Sequence, residues 1–259
     1  MRRLILIEPV AQSAVWARRL SIFALAIATV AIALSRFRAA DPAAVLTVFG
    51  AALIIAALAA LLATAAASVI WRDGLRGARQ AGLGLALAAA LLAYPVYLAA
   101  LAFVLPPVND ISTDLKAPPA FLFSAKAREA RAGGEPPPPS DENRAAQRAA
   151  YPDIATIMVE MDSTQAYQLA LSAAGDLGWR VVDSEPPNLN GDGAALIEAT
   201  SRSLFFGFVS DIAIRIRPGA TETAIDIRSV SRLGGHDFGS NAGRVRKFIA
   251  AVNEETRER

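Results

Sequence analysis

The sequence predicts an α+β protein, with three transmembrane helices followed by a soluble antiparallel-sheet domain that has helices packed on one face. Three observations predict it. Of 259 residues, 54% are hydrophobic and 19% charged, where soluble domains hold about 45–50% and 25%. Almost all of the apolar excess lies before residue 108, where residues 43–70 and 81–108 carry no charge. Each of those runs exceeds the roughly 20 residues needed to cross about 30 Å of hydrocarbon. Beyond residue 150 the pattern changes to short alternating runs split by Pro and Gly, with two stretches of helical period.

The first membrane helix is expected at about residues 15–35. Its uncharged core, residues 20–35, is short, and Val15 and Trp16 extend it if Arg18 and Arg19 reach back to the head groups. A signal peptide is the alternative, although Arg36 and Arg38 then stand where a cleavage site prefers small neutral residues. The second and third helices are expected at residues 43–71 and 81–105. Ala52, Ala56 and Ala60 recur every four residues, as do Ala59, Ala63 and Ala67. Small residues at that spacing let helix backbones approach closely and offer a route to a homo-oligomer. Neither span contains Asp, Glu, Lys, Arg or His, which argues against transport, where such groups are needed at depth. Pro95 is expected to kink the third helix.

Charge sets the orientation. Arg2, Arg3, Arg18, Arg19, Arg72, Arg76 and Arg79 occupy the N-terminus and the second loop, against Arg36, Arg38 and Lys116 on the other side. The N-terminus is therefore expected in the cytoplasm and the C-terminal domain in the periplasm, as in a multi-pass protein of the bacterial inner membrane. Trp16 and Trp71 fall at the expected boundaries, as aromatic belt residues do.

Residues 1–108 thus make the membrane region, 109–150 a juxtamembrane arm and Pro-rich linker, and 151–259 the soluble domain. Pro118, Pro119, Gly133 and Gly134 break structure in the linker, and four prolines at residues 136–139 favour polyproline II. Residues 128–132 and 142–149 read as short helical turns. The polar stretch 109–114, followed by Phe121 and Phe123, either docks onto the soluble domain or is a plain juxtamembrane loop.

In the soluble domain, strands are expected at residues 155–161, 179–183, 194–201, 212–217 and 223–232. A helix over 164–176 is capped by Asp162 or Ser163. A final helix runs from Ser240 or Asn241 to about Glu255, with Val245, Phe248, Ile249 and Val252 as its apolar stripe. Ile212, Ile214 and Ile216 share one face, and Ala213, Arg215 and Arg217 the other. Ile225 and Ile227 should point inward, Asp226 and Arg228 outward. Trp179, Phe205, Phe206 and Phe208 are expected to fill the core or one end of the sheet. This order of elements suggests an antiparallel sheet with helices on one face.

The composition also excludes chemistry. There is no cysteine, so disulfides, thiolate catalysis and Cys-based metal sites are out. A net charge of +2 gives no reason to expect nucleic acid. His236 is the lone histidine, so a zinc site would need an otherwise all-carboxylate ligand set, and no cofactor is expected. Arg202, Arg215, Arg217, Arg228 and Arg232 lie on or beside strands and form a basic face if the register aligns them. Alternatively they pair across strands with Glu198, Asp211 and Asp226. The turn before the last helix gathers Arg228, Ser231, Arg232, Asp237, Asn241 and Arg244 as a candidate ligand-binding group. Free backbone N–H groups near Gly239 to Asn241 would suit an anion there.

Several stretches carry a resemblance. Residues 197–202, Phe206–Gly207–Phe208, residues 211–216, residues 226–234, Asp237–Phe238–Gly239 and residues 241–244 occur in an order similar to the bacterial family catalogued as domain of unknown function 1499. The early stretch 109–114 and Tyr151–Pro152 also match, while His236 stands where that family's turn would carry a small polar residue. The resemblance spans about residues 109–252 and implies a shared domain rather than a chemistry.

The functional expectation is a non-enzymatic inner-membrane protein, in contact with membrane lipids. Its periplasmic domain binds a partner envelope protein or an anionic envelope component, with Arg228, Arg232 and Arg244 supplying charge and Asp237 and Asn241 fixing the turn. An envelope hydrolase is the alternative, with His236 and Asp237 polarising Ser231 or Ser240. In a third reading the arginine–aspartate cluster only staples the domain.

Overall fold

The computed structural model describes residues 9–131, 134–188 and 193–258. Arg2, Arg3, the end of the 128–132 turn, Gly133 and residues 189–192, in the loop expected between the second and third strands, lie outside the described residues. The chain divides into two compact units, Met1–Ala100 with Phe205–Gly207, and Leu101–Leu204 with Phe208–Arg259.

The helical unit contains α1 (Gln12–Arg36), α2 (Pro42–Asp73) and α3 (Ala78–Val104). All three are long and apolar enough to cross a membrane. α1 begins before the uncharged core, so Arg18 and Arg19 are helical residues rather than flanks. Asp41 caps α2 by accepting from Ala43 and Ala44 N–H, and Pro42 holds the first helical position, where its missing donor costs nothing. Pro95 lies inside α3.

Alanine builds the seam between α1 and α2. Ala14, Ala17, Ser21, Ala24, Ala28 and Ala31 are buried on α1, and Ala52, Ala56, Ala59, Ala63 and Ala66 on α2. Both series alternate steps of three and four, which keeps a mean of 3.5 residues per turn facing the partner helix. The four-residue spacing expected from sequence drifts around the helix instead, leaving Ala60 partly buried and Ala67 exposed. Ala52, Ala56, Ala59 and Ala63 are therefore consumed within one chain. α3 approaches α1 most closely at Gly84, whose carbonyl accepts a 2.7 Å hydrogen bond from the Ser21 hydroxyl. A Cβ at Gly84 would sit 2.9 Å from the Ala17 carbonyl carbon and the Arg18 nitrogen.

The second unit is an antiparallel sheet with helices. Its strands are β1 (Asp110–Ser112), β2 (Ile157–Val159), β3 (Arg180–Glu185), β4 (Ala195–Arg202), β5 (Val209–Pro218) and β6 (Thr223–Ser231). They pair in the order β1-β6-β5-β4-β3, and β2 also pairs with β6. The outer edge of β6 is thus shared by two short strands, β2 against residues 223–225 and β1 against residues 228–230. β2 is shorter than the 155–161 run suggested.

α6 (Ser163–Asp176) and α7 (Ser240–Glu258) cover one face. Ala166, Leu169, Ala170 and Ala173 of α6, and Val245, Phe248 and Val252 of α7, meet Ile197, Ile212, Ile214, Ile216, Ile225 and Ile227 in one core. Trp179 belongs to that core and stacks on Phe248 at 5.6 Å. Phe205 and Phe206 belong instead to the β4–β5 turn at the sheet's end.

The other face is also covered, which corrects the outward placement of Asp226 and Arg228; they are 0% and 5% exposed. The segment expected to be a linker carries β1, α4 (Ala125–Ala130) and α5 (Asp141–Ala150), and residues 109–131 lie along the sheet as a bound arm. Gln147 of α5 holds β1 through both its amide groups, accepting from Ser112 N and donating to Ser112 O. Phe121 is 1% exposed and clusters with Ala213 and Val230. Its ring lies 5.5 Å from the Arg131 guanidinium and 5.3 Å from that of Arg228. Arg131 binds both carboxylate oxygens of Glu198, which also accepts from Leu122 N–H.

Candidate functional site

The arginines on the outer sheet face do align, but carboxylates interleave with them. Arg215 and Arg217 both donate to Asp226 and to Asp114. Burial pushes the Asp226 carboxyl up, but hydrogen bonds from Thr156, Arg215 and Arg217 outweigh it and hold the group below its usual range. Arg228 makes a two-pronged contact with Asp110, at 3.1 and 2.7 Å, and donates to Pro137 O. Arg232 grips Asp211 in the same way, at 2.8 and 2.7 Å, and donates to Ala130 O. Cross-strand and arm carboxylates therefore neutralise the basic face.

The remaining candidates meet at the start of α7. Asp237 accepts from Gly239 N–H at 2.9 Å and from Asn241 N–H at 2.6 Å. It thereby occupies the donors that were expected to be free for an anion, and it caps the helix in place of Ser240 or Asn241. Burial pushes its carboxyl above the ordinary value despite those two bonds. Asn241, fully buried, donates to Asn109 O and the Ser231 hydroxyl and accepts from the Ser229 hydroxyl. Arg244 donates to Ser229 Oγ and Asn241 Oδ1, and burial lowers its pKa while Asp237 raises it.

The group Ser231, Asp237, Asn241 and Arg244 is thus brought together, with Ser229 as a member the sequence did not flag. Arg228 and Arg232 stand apart from it on the arm side. Because Asn241 ties β6, the arm and α7 together, Asn241→Ala should cost about 2 kcal/mol by leaving buried partners unpaired. Urea unfolding of the full chain checks this.

His236 serves its own turn. Its Nδ1 accepts from Phe238 N–H at 2.9 Å, which leaves Nε2–H to donate to Leu105 O at 3.2 Å. Both ring nitrogens are engaged by the backbone, neither by Asp237, Ser231 or Ser240, so the base of the hydrolase alternative is not assembled. Among the described residues no cluster of three or more His, Asp or Glu could hold a metal.

The arm and the Pro-rich segment after it create a cleft of about 570 Å³ that sequence reasoning did not foresee. Pro136, Pro137, Pro138 and Pro139 wall it, and Asn109, Asp110, Asp211, Ser231, Arg232 and Asn143 supply polar groups. Of the ligand-binding candidates, Ser231 and Arg232 line it. Asn143 contributes a buried side-chain oxygen that has no donor. The stretch 109–114 stood out as an arm that could dock, but neither Asp110 nor Asn143 stood out as a site residue, because no local pattern carries them to the cleft.

No curated protein matches the chain. The family model for a protein of unknown function (DUF1499) matches residues 110–252. That match begins at the first residue of β1 and so includes both the arm and the proline wall of the cleft. More than half of the sequence lies within it, and the chain belongs to the DUF1499 family.

Proposed function

We propose that this is a multi-pass protein of the bacterial inner membrane, with its N-terminus in the cytoplasm. Its periplasmic domain is a non-catalytic binding module whose cleft takes a segment of a partner envelope protein. The lining of the cleft carries this reading. Its charges have both signs, and the arginines are already paired, Arg131 with Glu198 and Arg232 with Asp211. Such a surface does not gather an anion, which favours the partner protein over an anionic envelope component. Side-chain amides, a hydroxyl and a proline wall suit a peptide backbone, which needs both donors and acceptors.

The chain has no cysteine, so one experiment tests sidedness and binding together. Asn143→Cys is labelled in intact spheroplasts with a membrane-impermeant maleimide carrying a photocrosslinker. The expected result is labelling from outside and one discrete crosslinked protein, absent when Lys247→Cys on α7 is used instead and lost when Glu135→Trp fills the mouth of the cleft. Labelling only after lysis would reverse the orientation. Labelling without a cleft-specific crosslink would remove the binding module.

A further inference from the structure

Six arginines of the second unit hold carboxylates, whereas five described arginines of the helical unit hold none. Arg131, Arg215, Arg217, Arg228, Arg232 and Arg246 each hold a carboxylate. Among the described residues, Arg18, Arg19, Arg72, Arg76 and Arg79 form no ion pair, and Asp73 beside Arg72 pairs with none of them.

These five share one end of the helical unit. Ala11 N–H donates to Arg76 O at 2.9 Å, and Arg76 N–H donates to Pro9 O at 3.1 Å, so the α2–α3 turn is bound to the start of α1. Gly77, at φ +132°, brings α3 against α1, since a Cβ there would lie 3.2 Å from that of Ala14. Trp16 and Trp71 stand at the same end, 51% and 90% exposed, and Arg19 lies 5.6 Å over the Trp16 ring. Exposed tryptophans of this kind mark head-group depth.

Arg18 is the most demanding member. It is half-buried where α3 approaches at Gly84, and its Nε is enclosed with no acceptor. A buried guanidinium N–H left unpaired is costly, so its acceptor is expected from outside the chain. Below it, four residues along the same helix face, stands exposed Ile22; below Arg79 stands exposed Leu83. Each cation thus has an apolar residue on its membrane side.

We propose that this end binds the head group of an anionic phospholipid, with Arg18 as the enclosed donor, Arg79 as the second cation, and Ile22 and Leu83 against the acyl chains. The site rests on the membrane-spanning reading of the three helices but not on the cleft or on orientation. An anionic head group is favoured because five arginines face one described carboxylate, Asp73, at this end and attract it at about five-fold per arginine near the surface, while inorganic phosphate would leave the apolar residues unused.

The test is native mass spectrometry of the full-length protein released from detergent, offered phosphatidylglycerol, phosphatidylethanolamine or inorganic phosphate. Phosphatidylglycerol should be retained over the other two, and Arg18→Gln should lower its retention about five-fold. Arg79→Gln, at an exposed position, should act likewise and keeps the test valid if Arg18→Gln fails to fold. Arg257→Gln is the control and should change nothing. Equal retention of phosphatidylethanolamine, equal uptake of inorganic phosphate, or undiminished phosphatidylglycerol in Arg79→Gln would each overturn the proposal.

Discussion

Arg131→Met is expected to destabilise the second unit by about 3–5 kcal/mol at pH 8, because it strands a buried carboxylate. Glu198 is 1% exposed, and burial already pushes its carboxyl above the ordinary 4.5, against the pull of Arg131. Without Arg131, only the Leu122 N–H remains on it. The sign of the pH dependence follows. A carboxyl whose folded pKa lies above its unfolded one favours the fold when protonated, so stability is present below the unfolded value and lost as pH rises through the folded one. The variant should therefore recover part of its stability as pH is lowered from 8 toward 5. Urea unfolding at both values checks it, and a loss of equal size at both would show that Glu198 is not its source. Adding Glu198→Gln to Arg131→Met should restore part of the stability at pH 8, since the stranded charge is then gone. The arm is the element released, because Arg131 also donates to Leu122 O and lies on the Phe121 ring.

In the helical unit the largest effect is expected from Gly84→Leu. The first added carbon would meet backbone atoms of Ala17 and Arg18 rather than a side chain that can turn aside. Overpacking a seam of small residues costs about 3 kcal/mol, and here it also separates Ser21 from the Gly84 carbonyl. The melting temperature of the full chain in detergent should fall by several degrees. Gly82→Leu, with open space around it, should leave the melting temperature unchanged. Equal shifts in both variants would mean that helix propensity, not the α1–α3 contact, was being measured.

The periodic elements were legible in the sequence because each writes its own pattern. Alternation placed Ile212, Ile214 and Ile216 on the core face, and helical spacing placed Val245, Phe248 and Val252. Alternation marks two faces but does not say what covers the second. Asp226 and Arg228 looked solvent-facing for that reason. The cover comes from more than a hundred residues upstream, where residues 109–131 have little periodicity. The candidate group divided on the same ground. Ser231, Asp237, Asn241 and Arg244 lie together because they share one local turn, whereas the partners of Arg228 and Arg232, Asp110 and Asp211, are brought in by the arm and by strand register. The seam of α1 and α2 shows a finer failure, since alanine is so frequent that several spacings fit the sequence and only the contact selects one.

The placement of β1 has a consequence for how the chain is made. Asp110 leaves the ribosome early, yet its partner Arg228 follows 118 residues later. At about 5–20 residues per second, the arm waits roughly ten seconds for the strand it must join. Through that interval Phe121 is uncovered, and Arg131 has no Glu198 until β4 has emerged. The closing step of the domain is therefore the pairing of its first strand with its last.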